Sequence, residues 1–124
     1  LLHDSGVVRL VNAGHMPPVR ISDAGVTELL PGNLALGLMP DATYEEHVLD
    51  LPASNMLVVY SDGLTEAMND AGAFFGDEHF RPVLPGLSRL SAAEAGARLL
   101  AAVDGFIGDT RPYDDLSLIV IKRQ

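Results

Sequence analysis

Hydrophobic positions along the first half of the chain come in short runs broken by glycine, proline and acidic residues. Val7 to Ala13 (VVRLVNA) reads as a strand, punctuated by Gly14 and the pair Pro17 and Pro18. Val19 to Ile21 and Val26 to Leu30 read as the two strands of a hairpin, with Ser22 to Gly25 as its turn. Pro31 to Pro40 (PGNLALGLMP) is a loop bounded by glycine and proline. Tyr44 to Leu51 (YEEHVLDL) reads as a further strand, and Pro52 to Asn55 turns it back. Two stretches differ. Met56 to Tyr60 (MLVVY) and Leu116 to Ile121 (LSLIVI) are almost continuously apolar and rich in β-branched residues, the pattern of strands buried on both faces.

Helical signals follow the central strand Met56 to Tyr60. Leu64 to Met68 can start a helix, and Asp77 to Leu84 suits a short one. Asn69 to Gly76 reads as a loop anchored in the core by Phe74 and Phe75. Ser91 to Phe106 carries the clearest signal. Ser91 and Glu94 have capping-box spacing, and Ala92, Ala95, Leu99, Ala102, Val103 and Phe106 share one face. The short gaps between early strands favour antiparallel pairing, so the expected class is α+β, with helices on one face of a sheet. No internal repeat or low-complexity tract interrupts the chain.

Composition narrows the function. A formal net charge of -9, from 17 acidic and 8 basic residues, argues against a nucleic-acid partner, which requires clustered Lys and Arg. It suits a soluble protein, or one whose carboxylates hold cations. The chain has no cysteine, which excludes disulfides, thiolate zinc sites and a cysteine nucleophile and is compatible with a cytoplasmic location. No apolar run approaches the ~20 residues of a membrane helix, and LLHDSGVVRL lacks the layout of a signal peptide, so no membrane association is expected.

Three stretches could carry chemistry. Asp62 follows the central strand, where a carboxylate is held rigidly and remains reachable; its plainer role would be to cap the next helix. Asp114 and Asp115 precede the last strand, and adjacent acids are also common in solvated turns. If the two strands pair antiparallel, Asp62 and Asp114 meet at one sheet edge and could share a hard cation such as Mg²⁺ or Mn²⁺. His15, in VNAGHMPP, follows a strand and a glycine. No second histidine stands at ligand spacing, so a zinc site is not expected.

VNAGHMPPVRI, LALG, LVVYSDGLTEAMNDAGAFFG and DDLSLIVIKR, in this order, resemble the C-terminal half of the protein phosphatase 2C-like (PPM) metal-dependent serine/threonine phosphatases. The closest branch is the bacterial SpoIIE type, which regulates sigma-factor partner switching. The resemblance implies the C-terminal half of a four-layer α-β-β-α sandwich of mainly antiparallel sheets. It also implies two Mg²⁺ or Mn²⁺ ions that activate water for attack on phosphoserine or phosphothreonine. By position, Asp62 and Asp114 match metal-ligating aspartates of that family. Gly63 and Asp115, the latter where many relatives have Asn, match supporting positions. His15 would serve as a proton donor or phosphate contact.

Ala35 stands where the branch usually has Pro, Ala73 where it has Glu, and Ser54-Asn55 replaces a common Gly-Asp turn. A further departure concerns the family's N-terminal half, whose Asp-Gly segment bridges both metals and has no counterpart here. Residues 1–124 are therefore expected to be the C-terminal portion of such a domain, weak or inactive alone. The strands would lack cover, which favours self-association or pairing with an N-terminal portion. The expected partner is a phosphorylated regulatory protein of the anti-anti-sigma type. The alternative is a non-catalytic interaction module that keeps the fold. A haloacid-dehalogenase reading of VVYSDGLTE fails, because Tyr60 occupies the position that chemistry requires to be Asp.

Overall fold

A computed structural model describes residues 1, 4–29, 32–109 and 115–124. Among these described residues, six strands and three α-helices follow in the order β1 (Val7–Leu10), β2 (Val19–Ser22), β3 (Gly25–Glu28), β4 (His47–Asp50), β5 (Met56–Tyr60), α1 (Asp62–Thr65), α2 (Gly76–Val83), α3 (Ala92–Ile107) and β6 (Leu118–Lys122). A 3₁₀ turn, Leu84–Leu87, extends α2. Strands β3-β2-β5-β6 form one antiparallel sheet, and β1 pairs antiparallel with β4 in a second.

Strand alternation assigns the two faces of β5. Met56, Val58 and Tyr60 face the helices and join Val19, Ile21, Leu64, Phe80, Leu84, Leu87 and the α3 stripe Ala95, Leu99, Val103 and Ile107 in the main core. Leu57 points the other way, into a smaller core with Val8 and Leu51 beneath the β1–β4 pair. This is the expected α+β arrangement, with helices on one side of the main sheet and a second antiparallel sheet on the other. The Ser91–Glu94 capping box starts α3: the Glu94 N–H donates to Ser91 Oγ at 3.2 Å, and the Ser91 N–H donates to Glu94 Oε2 at 2.8 Å. That geometry holds the Glu94 carboxyl below its usual range.

Several expectations need correction. The last strand is not buried on both faces: it is an edge strand among those described, and Ile119 is 58% exposed. The β1–β4 pair covers the Leu57 and Ile121 end of that face but not Ile119. Only Val8 of β1 is buried, and β1 ends at Leu10 rather than Ala13, because Asn12 turns its side chain into the following loop. Of the phenylalanine pair, Phe75 is buried and Phe74 is 53% exposed, since neighbouring side chains diverge. The expected lack of cover does not hold on the helical side of the main sheet, because α2 and the 3₁₀ turn add Phe80, Leu84 and Leu87 to the α3 stripe.

Candidate functional site

Register brings three loops to one end of the main sheet. Val19 of β2 faces Val58 of β5, and Tyr60 of β5 faces Leu118 of β6. Continuing both ladders past the end of β5 carries the segment before β2, with His15, and the segment before β6, with Asp115, towards Asp62.

The β5–β6 side of this edge is tightly tied. Ser61 occupies the N-cap position of α1 and Asp62 is its first residue, so Asp62 does not serve as the cap. The Ser61 N–H donates to the Ser117 carbonyl at 3.0 Å. Ser61 Oγ donates to the Asp115 carbonyl at 3.0 Å and accepts from the Ser117 N–H at 2.9 Å. Gly63 is buried against the same segment: a Cβ there would lie 2.9 Å from the Asp115 carbonyl oxygen and 3.0 Å from Asp115 Oδ1. Only a residue without a side chain allows this approach. Asp62 is exposed, and its Oδ1 accepts from the Gly63 N–H at 2.9 Å. Asp115 is also exposed. Beneath the edge, Tyr60 is buried against Phe80, with ring centroids 4.5 Å apart. Burial, followed by the charges of Asp77 and Glu28, pushes its phenol pKa up.

The loop carrying His15 is built on Asn12, the buried polar residue of the described core at 5% exposure. Asn12 Oδ1 accepts from the His15 N–H at 2.8 Å, and its Nδ2 donates to the carbonyls of His15 at 3.0 Å and Met16 at 3.4 Å. Its own carbonyl accepts from the Asn33 N–H at 2.9 Å. A Cβ on Gly32 would overlap the Asn12 side chain, and one on Gly14 (φ +86°) would lie 2.5 Å from the Ala35 Cα. The His15 loop and the loop through Ala35 are thus interlocked, while the His15 ring itself is exposed. Sequence reasoning passed over Asn12. The available signal was a polar, turn-forming residue at the end of an apolar strand, two positions before a glycine.

Asp62, Gly63 and Asp115 are brought together, and His15 belongs to the same sheet end by register. Asp114 lies outside the described residues. Among those described, no three His, Asp or Glu side chains cluster as a metal site. Exposed carboxylates at a rigid sheet edge nevertheless have the hard-oxygen character that Mg²⁺ and Mn²⁺ prefer.

The sequence matches the family described as "Stage II sporulation protein E (SpoIIE)" over residues 2–124. The chain belongs to the SpoIIE family. Protein IcfG of Synechocystis sp. (strain ATCC 27184 / PCC 6803 / Kazusa) is 28% identical over 125 residues, covering 96% of this chain and 19% of IcfG. The SiaA-PP2C domain of Pseudomonas aeruginosa has a similar fold, with a TM-score of 0.79 at 18% identity, over 96% of this chain and 47% of that one. The Mn-presoaked phosphatase domain of the cell fate determinant SpoIIE from Bacillus subtilis gives 0.73 at 18% identity, over 99% and 53%. This SpoIIE-family chain thus has the fold of PP2C phosphatase domains and spans about half the length of those two structures and a fifth of IcfG. Among the described residues, no helix is long and apolar enough to cross a membrane.

Proposed function

We propose that this chain is the C-terminal portion of a metal-dependent phosphoprotein phosphatase domain, acting on phosphoserine or phosphothreonine of a bacterial regulatory protein of the anti-anti-sigma type. The observation that carries this reading is the clamped edge where Ser61 ties the Asp62 segment to Asp115. Asp62 and Asp114 would hold Mg²⁺ or Mn²⁺, with Asp115 and Gly63 in supporting roles. Bound ions supply water activation and neutralise phosphoryl charge. The chain's own work is to fix the acidic segments on a rigid ladder and to present His15 at the same sheet end as a proton donor or phosphate contact. A two-metal site needs further carboxylates, which the rest of the domain would supply. Alone, the 124 residues are expected to bind the ions weakly and to turn over little substrate. Exposed Leu36, Leu38 and Met39 beside the interlocked loops favour pairing with that other portion, or self-association.

The test uses a protein that carries this chain together with the remainder of its phosphatase domain. Asp62→Asn is expected to lower Mn²⁺-dependent turnover of a phosphoserine protein about 100-fold, equivalent to ~2.7 kcal/mol of barrier. His15→Ala should lower it less. Unchanged turnover in Asp62→Asn would remove Asp62 from the mechanism. A wild-type protein that binds its partner without hydrolysing it would favour the interaction module.

A further inference from the structure

Ser61 departs from the usual behaviour of a serine at a helix start. Its backbone has N-cap geometry, with φ -82° and ψ 163°, yet its side chain makes no cap hydrogen bond. A serine in this position ordinarily accepts from the second or third amide of its own helix. Here the hydroxyl is turned across the sheet edge to groups 54 and 56 residues away, and it is used as donor and acceptor at once. A local preference is set aside for a long-range contact at the place where the candidate carboxylates stand, and such departures mark functional sites.

The position explains what the contact achieves. Paired residues of the β5–β6 ladder end at Tyr60 and Leu118. Beyond that pair, the Ser61 N–H and hydroxyl continue the cross-strand bonding to Ser117 and Asp115. The bonding therefore runs up to the residues next to the carboxylates instead of stopping short of them. Gly63 completes the arrangement by letting Asp115 come close from the other side.

We propose that Ser61 is a positioning residue for the phosphatase reaction: its hydroxyl sets the separation of the Asp62 segment from the segment that runs from Asp115 into β6, so that carboxylates of the two segments can serve one divalent cation. The proposal rests on the phosphatase reading above. Alanine removes both bonds, whereas threonine keeps the hydroxyl and tolerates the extended backbone of Ser61.

The test compares wild type, Ser61→Ala and Ser61→Thr in the protein carrying the remainder of the domain. The readouts are Mn²⁺ titration by electron paramagnetic resonance, kcat and KM for a phosphoserine protein, and hydrogen exchange of the Ser117 amide. Ser61→Ala is expected to weaken Mn²⁺ binding about 10-fold, the scale of groups that orient metal ligands. It should also lower kcat with little change in KM and speed Ser117 exchange, and Ser61→Thr should restore all three. If Ser61→Ala does not fold, Ser61→Cys, which keeps the bulk but bonds weakly, replaces it. Wild-type Mn²⁺ affinity and kcat in a Ser61→Ala protein with faster Ser117 exchange would overturn the proposal and leave the phosphatase reading standing. Absence of Mn²⁺ binding and turnover in wild type would overturn that reading and the proposal with it.

Discussion

Gly63 lies so close to Asp115 that a Cβ on it would stand 2.9 Å from the Asp115 carbonyl oxygen. The obstructing atom is backbone, held in place by the Ser61 hydroxyl, and cannot swing aside as a flexible side chain could. Gly63→Ala sets two effects against each other. Alanine is favoured over glycine within a helix by about 1 kcal/mol, while overpacking a tight site costs about 1–3 kcal/mol. The clash should win, with net destabilisation of about 1 kcal/mol. Urea denaturation measures it, and a stabilised variant would show that the β6 entry yields easily.

Asn12→Ala removes three side-chain hydrogen bonds and leaves a small void under Gly32. Since the lost bonds are partly buried, destabilisation of about 2 kcal/mol is expected. Hydrogen exchange should show the largest change at the His15 amide. Loss of stability without a change at His15 would mean that Asn12 supports the core rather than the loop.

Ser54 is the described non-glycine residue with a positive φ, 68°. It sits in the turn between β4 and β5, where its N–H donates to the Arg123 carbonyl at 2.9 Å. The left-handed conformation costs a non-glycine residue about 1–2 kcal/mol, and glycine returns about 0.4–1 kcal/mol of that through greater unfolded-state freedom. Ser54→Gly should therefore stabilise the protein by about 0.5–1 kcal/mol. Thermal denaturation reads the sign, and a lower midpoint would contradict it.

Glu94 should give stability an acid dependence. Its carboxyl pKa is lowered chiefly by the hydrogen bond from the Ser91 backbone N–H and then by the Ser91 side chain. Below its folded pKa the carboxylate is protonated in both states, and its contribution is lost. Above its unfolded pKa the contribution is fully present. Glu94→Gln should flatten the fall in stability as pH drops through the carboxylate range while leaving the cap itself largely formed. Parallel acid profiles for the two proteins would show that this carboxylate does not couple to folding.

Local pattern determined much of this protein. The unbroken MLVVY run specified a strand covered on both faces, because such a sequence has no side for water. Ser91 and Glu94 specified the start of α3, because a capping box needs only residues three apart. The SDGLTEA and NAGH motifs carried the family, and Asp62 was legible as a strand-end carboxylate. The tertiary structure decided the rest, because the deciding contacts lie far apart in sequence. LSLIVI gives no sign that its strand stands at a sheet edge with Ile119 exposed, since cover depends on which neighbours arrive. Nor could the adjacent pair in NDAGAFFG show that Phe75 faces the core while Phe74 does not. Nothing in the local pattern around Ser61 pointed to a long-range role, and only the β5–β6 register turns its hydroxyl towards Asp115 and Ser117. Asn12 likewise acquires its role once Gly32, Asn33 and His15 are folded around it.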